Sequence, residues 1–150
     1  MLSRFVHGLI VRTYEHSELE ELAQKGTIPV VNALTDFLHP CQTYTDAFSM
    51  AEKWSNGRDL MESLKGKKIA YFGDTANNIA NSWILGAALF QMELVLAGPP
   101  NYAPGDEIQE LLHKSGHASS YQFTSDPEEA ACNADDLTTD PCVSMGQEQE

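Results

Sequence analysis

Along this chain, short apolar β-rich runs alternate with stretches of helical spacing, and that alternation limits the fold more than any other feature. Residues 9–12, 28–33, 69–72, 93–97, 120–124 and 137–139 read as strands. Residues 15–23, 41–54, 77–90 and 106–113 carry helical periodicity, and a short helix opens at Asp126-Pro127 and runs through Ala131. Strand and helix in strict alternation predict an α/β protein, with parallel sheets flanked by helices. Gly26 marks the end of the first helix, Ser55-Asn56-Gly57 breaks the second, and residues 64–68 read as a polar turn. The pattern divides the chain into the end of one α/β domain with its exit helix (1–55), a connector (56–66), and most of a Rossmann-like second domain (67–150).

Charge narrows the partners. The net charge is −13, with 22 acidic residues against 9 basic ones. Nucleic acid is excluded on that ground, because phosphates demand a basic surface. From Asn101 onward eleven acids face a single lysine, Lys114, so an anionic substrate must find its positive groups in the first half, where Arg12 lies. No apolar run approaches the roughly 20 residues that span a bilayer, and no secretory leader pattern opens the chain, so the expectation is a cytoplasmic protein without a membrane partner. Cys41, Cys132 and Cys142 have no metal-ligand spacing and are expected to stay reduced; Cys41 reads as a small side chain beside a site rather than a nucleophile.

Three polar motifs stand at strand ends, where α/β proteins gather ligand groups into one crevice. In His39-Pro40-Cys41-Gln42, the proline biases His39 toward an extended backbone and suits the first position of the helix that follows. An imidazole and a carboxamide are thereby held near the positive end of a helix, which favours an anion. Gly73-Asp74-Thr75-Ala76-Asn77-Asn78 follows an apolar strand but has one glycine, so the dinucleotide fingerprint fails. Its asparagines either cap the helix or hold the charged end of an amino acid. Asp140-Pro141-Cys142-Val143-Ser144-Met145-Gly146 offers a carboxylate for a cationic amine, with the Ser144 hydroxyl as a second contact, or else is an ordinary Asp-Pro turn. Arg12, at the end of a strand expected to be buried, needs an anionic partner: a substrate or a structural carboxylate.

Taken together, Val11-Arg12-Thr13-Tyr14, Pro29 to Asp36, His39-Pro40-Cys41-Gln42, Gly73-Asp74-x-x-Asn77-Asn78 with Ser82-Trp83, and Thr139-Asp140 through Glu148 resemble the ornithine-type carbamoyltransferases of the aspartate/ornithine carbamoyltransferase family. Aspartate carbamoyltransferases share the His-Pro-x-Gln pattern but not the asparagine pair followed by Ser-Met-Gly. The resemblance implies transfer of a carbamoyl group from carbamoyl phosphate to the side-chain amine of L-ornithine, with neither metal nor organic cofactor, in a homotrimer. On the family pattern, Arg12, His39 and Gln42 match carbamoyl-phosphate ligands, with Arg12 and His39 catalytic; Asn78, Asp140, Ser144 and Met145 match ornithine ligands. The family's Ser-Thr-Arg-Thr phosphate loop and His-Cys-Leu-Pro loop have no counterpart in the sequence, which implies a fragment with weak or no activity by itself. Two local departures stand out: Cys142 where the family carries an aromatic, and a second acid in Asp135-Asp136-Leu137-Thr138. Other readings of the same residues are a carbamoyltransferase for another amine, such as putrescine or a modified ornithine, or a non-catalytic α/β binding module.

Overall fold

The computed structural model describes residues 2–116 and 121–140. In chain order these form β1 (Leu9–Arg12), α1 (His16–Lys25), β2 (Val30–Leu34), α2 (Pro40–Ser55), α3 (Leu60–Leu64), β3 (Lys68–Phe72), α4 (Asn78–Phe90), β4 (Glu93–Ala97), α5 (Asp106–Lys114), β5 (Tyr121–Thr124), α6 (Pro127–Ala131) and β6 (Asp136–Thr139), with short 3-10 turns at Leu2–Arg4 and Pro100–Tyr102. The α/β expectation holds. All strand pairs are parallel, in a two-stranded sheet β1-β2 and a four-stranded sheet ordered β5-β4-β3-β6.

Local chemistry explains the boundaries. Pro40 occupies the first turn of α2, and the helix ends where Asn56 turns left-handed (φ 48°), followed by Gly57 at φ 82°. Asn77 caps α4 by accepting the backbone N–H of Ala80 at 2.8 Å. Asp126 caps α6 through the amides of Glu128 and Glu129. One element departs from the sequence reading: the connector contains α3, capped by Asp59 accepting from the Glu62 amide at 3.0 Å. Asp59-x-x-Glu62 is the spacing of a capping box, and Leu64 at its end is buried in the core.

The larger sheet is covered on both faces. Ile69, Tyr71, Leu94 and Leu96 pack with Trp83, Ile84 and Ala87 of α4, Ile108 and Leu112 of α5, and Ala47 and Ala51 of α2. Ala70, Val95 and Ala97 alternate to the other side, against Ala130 of α6. Central strands buried on both faces read as unbroken apolar runs, which is why 69–72 and 93–97 are legible in the sequence. The β1-β2 sheet is different: Ile10 is 78% exposed and Val31 45%. The expectation that β1 is buried fails on its outward face, and Arg12 at its end is exposed.

α2 connects the lobes, packing on β2 and on α4. At the α2–α4 crossing a side chain on Gly86 would strike the methyl of Thr43, so the helix backbones approach closely only because that position lacks a Cβ. Of the two acids noted, the one before β6 has structural partners. Asp135 holds Lys67 Nζ at 2.6 Å and the Lys68 amide at 2.9 Å, fastening the start of β6 to the start of β3.

Candidate functional site

The order β5-β4-β3-β6 has a consequence for ligand placement. The chain steps outward from β3 to β4 to β5, then returns to the other edge of β3 as β6. Open α/β sheets bind ligands in the crevice at such a reversal, beyond the carboxyl ends of the strands. Here that reversal falls between the ends of β3 and β6, at Gly73-Asp74 and Asp140. Gly73 has φ 121°, a conformation that disfavours any side chain. Gly98, at the end of β4, approaches the Gly73 carbonyl so closely that a Cβ would collide with it. Both glycines let the turn after β3 fold tightly under α4.

That turn is wired to β6. Asp74, buried, accepts the Ala76 amide at 2.9 Å. The Asn77 Nδ2 donates to Asp140 Oδ2 at 3.2 Å and lies 3.1 Å from the buried Tyr71 hydroxyl. Thr139 Oγ1 donates to the Phe72 carbonyl at 3.0 Å, drawing the two strand ends together. Burial raises the Asp140 carboxyl above the ordinary aspartate value, aided by the Asp74 charge and opposed by His39 and the Asn77 hydrogen bond. Burial likewise drives the Tyr71 phenol far up, so it stays protonated.

The smaller lobe meets this crevice along a polar seam. Asn78, Asn81 and Ser82 share one face of α4 at the spacing i, i+3, i+4. Asn78 Nδ2 donates to the Thr35 carbonyl at 2.7 Å, and Asn81 Nδ2 to the Phe37 carbonyl at 3.2 Å. The His39 amide donates to Ser82 Oγ at 2.6 Å, and that hydroxyl donates on to the Asn78 carbonyl at 2.7 Å. All three side chains are buried. Thr35 is itself locked: its hydroxyl accepts the Leu38 amide at 3.1 Å and lies 2.9 Å from His16 Nδ1.

Of the residues singled out from sequence, His39 and Asp140 come from opposite lobes yet lie within electrostatic reach of each other. Arg12 joins them: after burial, its positive charge is the main cause that lowers the His39 pKa, against the opposing pull of Asp140 and Asp46. His39 is half-buried, its Nδ1 without a hydrogen-bond partner among the described residues. Gln42 is exposed one turn along α2, its Nε2 donating to Asp46 Oδ1 at 2.8 Å. That bond fixes the amide so that its oxygen remains free to accept. Asn78 sits in the seam rather than in the open crevice, with one N–H committed to Thr35. Ser144 and Met145 lie outside the described residues.

Sequence reasoning passed over Asn81, Tyr71 and the separate duties of Asn77 and Asn78. The i, i+3, i+4 polar stripe on an otherwise apolar helix was the available signal. Cys41 Sγ donates to the Asn32 carbonyl at 3.3 Å, and Cys41 and Cys132 are free thiols; Cys142 lies outside the described residues. Among the described residues there is no cluster of metal-ligating side chains, and no helix is long and apolar enough to cross a membrane.

Parallel sheets flanked by helices, in two lobes that meet at a polar seam, define an α/β protein. The chain belongs to the aspartate/ornithine carbamoyltransferase family: residues 1–52 match its carbamoyl-P binding domain and residues 65–150 its Asp/Orn binding domain. Within that family its relatives include ornithine carbamoyltransferases from Methanoculleus marisnigri, 42% identical over 150 residues, and Syntrophotalea carbinolica, 43% identical over 150 residues. Each match takes in 100% of this chain but only 45% and 46% of the relative, so the chain spans slightly under half the length of those proteins. The solved ornithine carbamoyltransferase from Pyrococcus furiosus superimposes with a TM-score of 0.81 at 35% identity, over 99% of this chain and 45% of that one. The Gloeobacter violaceus enzyme gives 0.77 at 40% identity, over 93% of this chain and 47% of that one.

Proposed function

We propose that this chain forms the substrate-facing seam of an ornithine carbamoyltransferase, residues 1–55 serving carbamoyl phosphate and residues 67–150 serving L-ornithine. The observation that carries the reading is that His39, in the smaller lobe, lies within electrostatic reach both of Arg12 and of Asp140 at the end of β6 in the larger lobe.

In the proposed reaction the side-chain amine nitrogen of ornithine attacks the carbonyl carbon of carbamoyl phosphate. The new C–N bond forms, the bond from that carbon to the phosphate oxygen breaks, and phosphate leaves with the electron pair. The amine gives up a proton, and the products are citrulline and phosphate. Negative charge builds on the carbonyl oxygen during attack, so donors aimed at it lower the barrier. Arg12 supplies a permanent cation. His39, with its pKa lowered, is a neutral imidazole at pH 7, able to donate one N–H without bringing a full charge. The free oxygen of Gln42 suits the carbamoyl NH2, which it would orient. Asp140 would hold the cationic end of ornithine, with the second N–H of Asn78 and the Ser144 and Met145 stretch completing the amino-acid site. Holding both substrates in line is the main catalytic contribution, because positioning removes translational and rotational freedom before the chemistry begins.

Calorimetric titration with L-ornithine, alongside a citrulline assay with carbamoyl phosphate, tests the reading. The chain alone is expected to bind ornithine weakly and to make little or no citrulline, and both Asp140→Asn and Asn78→Ala are expected to abolish the binding. Ornithine binding indifferent to both changes would overturn it.

A further inference from the structure

We propose that Asn77 is the positioning residue for the Asp140 carboxylate, fixing where the crevice between β3 and β6 holds a cationic amine. The inference rests on the reading above that Asp140 is the amine site, and extends it to a residue outside that set.

A primary amide looks much the same in either orientation, so what decides its direction is the partner at each end. At Asn77 the decision comes from α4 itself. The Ala80 N–H, one of the donors a helix start leaves open, lies 2.8 Å from Oδ1 and can be met only by an acceptor. The oxygen therefore faces the helix, and the NH2 must face away from it. That NH2 lies 3.1 Å from the Tyr71 hydroxyl and 3.2 Å from Asp140 Oδ2. Tyr71 is fully buried and Asn77 is 6% exposed, so neither group can turn outward to water. Asp140 is thus gripped by one oxygen, and among the described residues nothing holds the other, which is left for a ligand. Without that grip, the carboxylate would feel the Asp74 charge and the burial that already disfavour ionisation.

A plain helix cap makes a different prediction, because aspartate and serine cap as well as asparagine does. Asn77→Asp keeps the acceptor for Ala80 and replaces the donor with a second negative charge. Asn77→Ser keeps the cap and removes the donor without adding charge. Both variants should retain α4, followed by circular dichroism and by the hydrogen-exchange protection of the Ala80 and Asn81 amides. The Asp140 carboxyl, titrated by carbon-13 NMR, should move to higher pH in Asn77→Ser and further still in Asn77→Asp. Ornithine binding should weaken about tenfold in Asn77→Asp and less in Asn77→Ser, the scale of one hydrogen bond to a charged group. An unchanged Asp140 titration in both variants with α4 intact would overturn the proposal; so would loss of α4 in both, which would make Asn77 a structural residue. The Asp140→Asn variant separates the two ideas. If it binds ornithine like the parent, the amine-site reading fails, while the Asp140 titration still decides whether Asn77 governs the carboxylate.

Discussion

The two lobes of this molecule are built from the same strand–helix–strand unit but are stabilised by different means. In the larger lobe Ile69, Tyr71, Trp83 and Leu96 are wholly buried, and helices cover both faces of the sheet. In the smaller lobe Ile10 and Val31 stand exposed on a two-stranded sheet, and few residues of β1, α1 or β2 are buried. What orders the smaller lobe is its attachment: α2 against α4, and the hydrogen bonds from Asn78, Asn81 and Ser82 to the loop at residues 35–39. Apolar burial holds one lobe together, while directional polar bonds set how the other is aligned to it. That division separates cohesion from alignment, because burial fixes no orientation and hydrogen bonds do.

The largest break in this comparison should come from Trp83→Ala. Truncating a fully buried indole costs about 3–5 kcal/mol, and thermal denaturation should show the whole chain destabilised. Gly98→Ala comes next. Its methyl meets the Gly73 carbonyl, a backbone atom that cannot swing aside, so a loss of about 1–3 kcal/mol is expected in urea unfolding. Asn81→Ala removes a buried bond to the Phe37 carbonyl and should cost about 1–2 kcal/mol. Its signature is regional: hydrogen exchange should quicken across residues 9–39 while β3 and β4 stay protected. Equal loss of protection in both lobes would show that the seam and the core are one cooperative unit.

Acidification should act on the seam through two groups of opposite sign. The pKa of His39 is lowered in the folded chain, so the unfolded chain takes up that proton first. Stability is therefore lost as pH falls from about 6.5 through the folded value. The pKa of Asp140 is raised, so its folded form keeps a proton longer; its contribution favours folding at low pH and is lost as pH rises from about 3.9 through the raised value. Denaturation midpoints of His39→Gln compared with the parent between pH 7 and 5 should show a shallower fall for the variant. The smallest effect should be that of Ile10→Ser, within about 0.5 kcal/mol, since the side chain is already in water. A larger loss would mean that the face of β1 is covered in solution.

Much of the fold was legible because both sides of the larger sheet are dry. Residues 69–71 and 94–97 have no solvent face, so their composition alone betrays them. The short α3 was not, because five residues carry too little periodicity and its capping spacing lies among breakers. The burial of β1 was overread: Leu9-Ile10-Val11 is apolar, yet one face of that strand is uncovered.

At the site, the residue types in His39-Pro40-x-Gln42, the asparagine pair and Asp140 were recognisable from the chain, as was the family that carries them. Side-chain chemistry and spacing within a motif are local properties, written directly in the order of residues. Which asparagine caps the helix, which one ties the lobes together, and which holds a carboxylate 63 residues away were decided only by tertiary packing. Asn77 and Asn78 are chemically identical neighbours, but the first is the extended cap and the second opens the helix, so their surroundings rather than their identity give each its task.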